Sequence, residues 1–202
     1  MIEGADLAAE EADCRARLAE PDPRPETFDR LARVLAAQDR PAEAAGVLRQ
    51  RLARADDPLV AGELGRLLIR CDRHDMAQGE VPRPFDLNFP WGRFPFPTRE
   101  HYPAERTLEA VGHLRRAAAD PAGSEARALL GLVLVQDLTT VREGAELLQT
   151  AVHEAPANPD AHLGMALLGV RQGDWRLAAA AAGAAANRRP GDPRASAVQA
   201  FA

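Results

Sequence analysis

Residues 158–190 read NPDAHLGMALLGVRQGDWRLAAAAAGAAANRRP. The stretch opens on an Asx–Pro step, which favours a turn and keeps the residue before the proline out of helix. His162, Met165, Ala166 and Gly169 then recur at helical spacing. Gln172-Gly173-Asp174 interrupts them, Trp175, Ala178, Ala182 and Ala185 resume a helical face, and Pro190 closes it. The segment is therefore two short helices joined by a tight turn. Such a pair buries its apolar faces only against neighbours of the same kind, so copies are expected elsewhere in the chain.

The copies are present. Asx–Pro steps occur at Asp22–Pro23, Asp57–Pro58, Asp120–Pro121, Asn158–Pro159 and Asp192–Pro193, spaced by 35, 63, 38 and 34 residues. Three spacings lie near one length, and the fourth fits one unit plus an insertion of roughly thirty residues. In the first unit Phe28, Leu31, Ala32 and Leu35 form one helical face, Asp39-Arg40-Pro41 a turn, and Ala44, Leu48 and Leu52 a second face. Paired positions on the first helices are Leu31–Ala32, Leu64–Gly65, Leu130–Gly131 and Met165–Ala166; small residues on the second helices are Ala44, Ala110, Gly144 and Ala178. Small residues at fixed places let helices approach closely.

In these residues the sequence resembles the tetratricopeptide-repeat (TPR) family, over residues 24–72 and 104–193. The resemblance implies an all-α fold: antiparallel helix-pair repeats stacked as an α-solenoid in one domain, 1–202, with one long irregular insertion. Residues 1–22 and 193–202 are expected to be terminal helices that shield the open ends of the stack. Three departures stand out. Arg51 occupies a small-residue position, Gly169 and Ala182 replace bulky residues, and the third unit holds about one extra residue around Leu138–Val141.

Composition agrees with that expectation. Of 202 residues 46% are apolar, mostly the helix formers Ala and Leu, and the scarcity of β-branched and aromatic residues argues against an all-β fold. All 25 basic residues are Arg, and the net charge is −5. That balance, with no long basic run, points away from nucleic acid as a partner. Cys14 and Cys71 form neither a disulfide framework nor a paired zinc spacing. The N-terminus lacks a secretory pattern. The longest apolar run, Ala128–Val135, is far short of the ~20 residues of a membrane span. A soluble cytoplasmic protein with no membrane association is expected.

Between the two halves of the second unit, residues 75–103 read DMAQGEVPRPFDLNFPWGRFPFPTREHYP. The segment holds Phe85, Phe89, Trp91, Phe94, Phe96 and Tyr102, six of the nine aromatics of the chain, and six of its 16 prolines. Prolines at this density exclude a helix and favour extended backbone. So many large rings argue for packing on something. Two readings stay open: the insertion folds back on its own solenoid, or it is a recognition element for a partner.

The resemblance also implies a binding surface, since first helices line the concave side of such solenoids. Carried over position by position, that side presents Arg33, Arg66 and Arg70 from the early units. Leu132, Val135, Leu163, Leu167 and Val170 follow from the later ones. A groove with a basic and an apolar end suits an extended peptide with an acidic group and apolar side chains; the alternative is that these apolar residues are core. Family members that clamp a C-terminal carboxylate use Lys and Asn, which this chain does not supply at the first-helix positions. The Ala-rich final second helix either packs on the terminal helix or makes a homo-oligomer contact.

Catalysis has little support. Cys71, His74, Asp75, His101 and His113 cluster near the insertion, but their spacing matches no zinc pattern. Nothing marks an orienting third residue or an oxyanion hole, and there is no Gly-rich phosphate loop. The expectation is a protein- or peptide-binding adaptor with no catalytic residues, metal or cofactor. The competing classes are an accessory or catalytic subunit with a small-molecule or metal site near the insertion, and a self-associating structural subunit.

Overall fold

The computed structural model describes residues 4–78, 88–89, 92–93, 104–137 and 139–201. Ten helices are seen among them: α1 (Gly4–Leu18), α2 (Pro25–Ala37), α3 (Pro41–Arg54), α4 (Pro58–Gln78), α5 (Ala104–Ala118), α6 (Ser124–Leu134), α7 (Val141–Glu154), α8 (Pro159–Gln172), α9 (Trp175–Arg188) and α10 (Pro193–Phe201). A two-residue ladder, β1 (Asn88–Phe89) with β2 (Gly92–Arg93), pairs antiparallel between α4 and α5. Consecutive helices pack as the pairs α2/α3, α4/α5, α6/α7 and α8/α9, and each pair stacks on the next. α1 lies on α2, and α10 lies on α9 and α8. The stacked helix-pair architecture is the one the repeat spacing implies.

Three of the five Asx–Pro steps start helices directly, those of α4, α8 and α10. Asp57 Oδ1 accepts from the amides of Leu59 (3.0 Å) and Val60 (3.4 Å), and Asn158 Oδ1 from those of Asp160 (2.9 Å) and Ala161 (3.3 Å). Asp192 Oδ1 accepts from the Arg194 amide at 3.0 Å. The carboxylate or amide thus satisfies orphan first-turn N–H groups while proline sits preorganised at the first helical position. At Asp120 the same motif turns the chain before α6, through the Ala122 amide at 2.8 Å. At the other end of the pair, Gly173 leaves α8 with φ 71°, a left-handed C-cap that needs no Cβ.

Close packing inside the pairs explains the small-residue positions. Leu148 of α7 drops onto α6 and α8 where both are bare: a Cβ on Gly131 would lie 2.7 Å from Leu148 Cγ, and one on Gly164 2.4 Å from its Cδ2. Leu114 of α5 meets Gly65 of α4 in the same way, at 2.7 Å. That contact pairs α4 with α5 in the register of the other units, although residues 79–103 separate the two helices. Buried apolar residues then form one core over α1–α4 with Ala110 of α5, and a second over α5–α10.

Two outcomes test this account. Gly164→Val should destabilise the fold by roughly 1–3 kcal/mol through overpacking. Gly112→Ala, where nothing lies within 4 Å of an added Cβ, should stabilise it by about 0.5–1 kcal/mol through helix propensity; urea midpoints compare the two. At Asp192 burial opposes ionisation, but hydrogen bonds and charge from Arg194, with Arg189 nearby, hold the carboxyl down to about 2. A depressed carboxyl stabilises the fold above its unfolded pKa and loses that contribution as pH falls through its folded value. Asp192→Asn keeps the cap acceptor but not the charge. It should be less stable than the parent near neutral pH by about 2 kcal/mol, a gap that closes between about pH 4 and pH 2 in acid melts.

Candidate functional site

The three arginines expected at one end of the concave side sit on first helices, Arg33 on α2 and Arg66 and Arg70 on α4, and all are exposed. Two already have carboxylate partners. Arg66 pairs with Glu63 one turn earlier at 2.6 Å, which raises the guanidinium pKa, with Glu125 and Asp160 adding negative charge. Arg70 Nη2 donates to Asp39 at 2.9 Å, across to the turn of the preceding pair. Arg33 Nε reaches only the Asp29 carbonyl, at 3.2 Å. The surface here is polar and largely charge-balanced rather than a bare cationic patch.

The apolar end differs from the expectation. Leu132, Val135, Leu163 and Leu167 are all buried within the core that runs through α5–α10, and Val170 is half-buried against it. They do not present an open apolar stripe. α6 packs against α5, α7 and α8 and touches α4, so nearly every face of it is used, and Ala126 through Leu132 are buried without a break. A helix with neighbours on all sides spends its leucines on packing.

The aromatic residues of the insertion fare differently. Phe89 lies on β1, where only its backbone is described; Phe85, Trp91, Phe94, Phe96 and Tyr102 lie outside the described residues. Where the insertion rejoins the solenoid, a cavity of about 100 Å³ opens between the start of α5 and the α6–α7 turn, lined among others by Thr107, Leu108, Val111, Val133 and Gln136. Leu108 beside it is 58% exposed, one of the few large apolar side chains to face solvent among the described residues.

The candidate metal and nucleophile set does not assemble. Cys71 is buried on α4. His113, half-buried on α5, has its Nε2 at 3.8 Å from Glu109, and burial lowers its pKa. Glu109 is itself engaged by Arg49 at 2.6 and 2.8 Å. The His74 and Asp75 side chains and all of His101 lie outside the described residues. Among the described residues no three His, Cys, Asp or Glu side chains converge on a metal position, and no helix is long and apolar enough to cross a membrane.

Sequence reasoning missed Arg127. It lies at the start of α6, almost fully buried, and donates to the carbonyls of Ala118 (2.7 Å), Asp120 (2.9 Å) and Pro121 (3.0 Å). Its Nε also binds Glu154 at the end of α7, at 2.9 Å. One guanidinium thus satisfies the orphan carbonyls that close α5 and ties three helices together. No local pattern announces this, because its partners lie on other elements.

Neither a family model nor a curated protein matches the sequence. Solved structures do resemble the fold. YrrB, described as a TPR protein with an unusual peptide-binding site, superposes with a TM-score of 0.62 at 14% identity, over 95% of this chain and 82% of that one. A tetratricopeptide repeat protein from Parabacteroides merdae ATCC 43184 gives 0.61 at 16% identity, over 98% of this chain and 66% of the other. The chain therefore has the tetratricopeptide-repeat fold. Replacing Arg127 by Ala should cost about 1–3 kcal/mol, since it leaves the carbonyls of Ala118, Asp120 and Pro121 without their donor. Thermal melts of Arg127→Ala and Arg142→Ala compare it with an arginine that is 93% exposed, whose loss should be near neutral.

Proposed function

We propose that this chain, a solenoid of the tetratricopeptide-repeat fold, is a scaffold that holds another protein or a peptide and performs no chemistry of its own. We place it in the reducing cytoplasm of a bacterium, with Cys14 and Cys71 as buried cysteines not joined in a disulfide. The contact groups we assign are the exposed arginines Arg33, Arg66 and Arg70 and the insertion aromatics Phe85, Phe89, Trp91, Phe94, Phe96 and Tyr102. In this reading α1 and α10 cap the two ends of the stack.

The observation that carries the reading is the pairing of α4 with α5. Gly65 receives Leu114 as Gly131 receives Leu148, so α4 and α5 make the same glycine–leucine contact as the helices of the third unit. An insertion that holds most of the aromatics and stands between two helices already paired with each other is best explained as a surface for a partner. The framework leucines do not compete for that role, because they are already buried. A solved neighbour of the same fold is described with a peptide-binding site, which agrees in kind with such a role.

Replacing residues 79–103 by the turn Gln-Gly-Asp, as at residues 172–174, tests the assignment. The variant should keep its helical circular dichroism and melt cooperatively, and should lose the partner recovered by affinity capture with the parent. A collapsed fold would make the insertion core. An intact fold with undiminished capture would place recognition elsewhere.

A further inference from the structure

The joints between successive helix pairs are not alike. At the joint between the second and third pairs, Ala117 of α5 meets Gly62 and Ala126, with a Cβ on Gly62 at 3.0 Å from that of Ala117. At the next joint Ala151, Ala128 and Ala161 form a small apolar cluster of their own. At the first joint, Arg51 replaces the alanine and Asp29 takes the place of Gly62 and Ala128. Arg51 is buried and lies 3.4 Å from Asp57 and 4.0 Å from Asp29. Among the described residues Arg51 Nε and Asp29 Oδ1 have no hydrogen-bond partner.

Charge also crosses this joint more often than the others. Arg49 of α3 binds Glu109 of α5 at 2.6 Å, Arg70 of α4 binds Asp39 at 2.9 Å, and Arg116 of α5 binds Asp56. With Arg51–Asp57 that makes four arginine–carboxylate pairs between the first and second units among the described residues. The next joint has Arg115–Glu143 at 2.8 Å. At the third, among the described residues, the Arg171 guanidinium donates to the Gln136 carbonyl, with the Asp137 carboxylate adding electrostatic attraction. Apolar contact does not distinguish the joints: Leu48, Val60 and Leu64 share a core here as Leu148, Leu163 and Leu167 do further on.

We propose that the first helix pair, with α1, is an end module latched to the rest of the solenoid by charge, which opens as one block when the pairs are screened or lost to competing ions. Exposed pairs weaken steeply with ionic strength. Opening also returns the under-satisfied Arg51 and Asp29 to water, which offsets part of its cost. Among the described residues the second joint has a single exposed pair, and neither alanine joint has an Arg–Asp couple in the place of Arg51 and Asp29.

Hydrogen exchange read by mass spectrometry on the full chain, at about 0.01 M and about 1 M NaCl, tests this. Peptides of α2 and α3 should lose protection together by about tenfold at high salt, while those of α7–α9 hold theirs. The variant Arg49→Gln/Arg70→Gln/Arg116→Gln should show the looser α2–α3 already at low salt and respond little to added salt. A salt effect of equal size in α2–α3 and α7–α9 overturns the latch. So does a triple variant that keeps the salt response of the parent.

Discussion

The structure depends on one steric constraint: the axis-to-axis distance between helices, which glycine and alanine keep short. Leu148 occupies the space that side chains on Gly131 and Gly164 would need, so one leucine holds two first helices to a common second helix. That contact binds a pair internally and to its successor at once. Burial is thereby shared along the stack, and no single pair has a core of its own.

Much of the polar chemistry layered over this apolar frame is carried by arginine, the chain having no lysine. A planar guanidinium with five donors spans gaps that an ammonium does not. Arg127 shows the benefit, serving three carbonyls and a carboxylate at once. Arg51 shows the cost, since two carboxylates at 3.4 and 4.0 Å leave its Nε unserved. Both occur at helix ends where units meet, and there the alanine-rich helices lack other means of fixing orientation.

Much of the framework was legible in the residues. Asn158–Pro159 and Asp57–Pro58 are local signals, and a cap involves only neighbours in sequence, so their spacing revealed the units. The Leu64–Gly65 and Leu130–Gly131 pairs were equally readable, because their meaning is periodic. The concave surface was not. Leu132 and Leu163 have the spacing of a ligand-facing row, but spacing does not say how closely neighbouring helices close over it, and here they close fully. Arg127 escaped notice for a related reason: its ligands are carbonyls, which carry no sequence identity. The interruption at 75–103 was visible at once in its prolines and aromatics, while the regularity of the unit around it emerged only from the Gly65–Leu114 contact.

That contact also bears on how the chain is made. Elsewhere a second helix follows its mate within a few residues, but α5 emerges only after residues 79–103 have been added to the end of α4. At translation speeds of roughly 5–20 residues per second, the glycine face of α4 stays uncovered for a second or more on the ribosome. Closing the longer span adds only about 2 kcal/mol to the equilibrium, because loop entropy grows with the logarithm of length. The insertion is therefore a delay in assembly far more than a burden on the finished protein, and nascent-chain vulnerability belongs to α4.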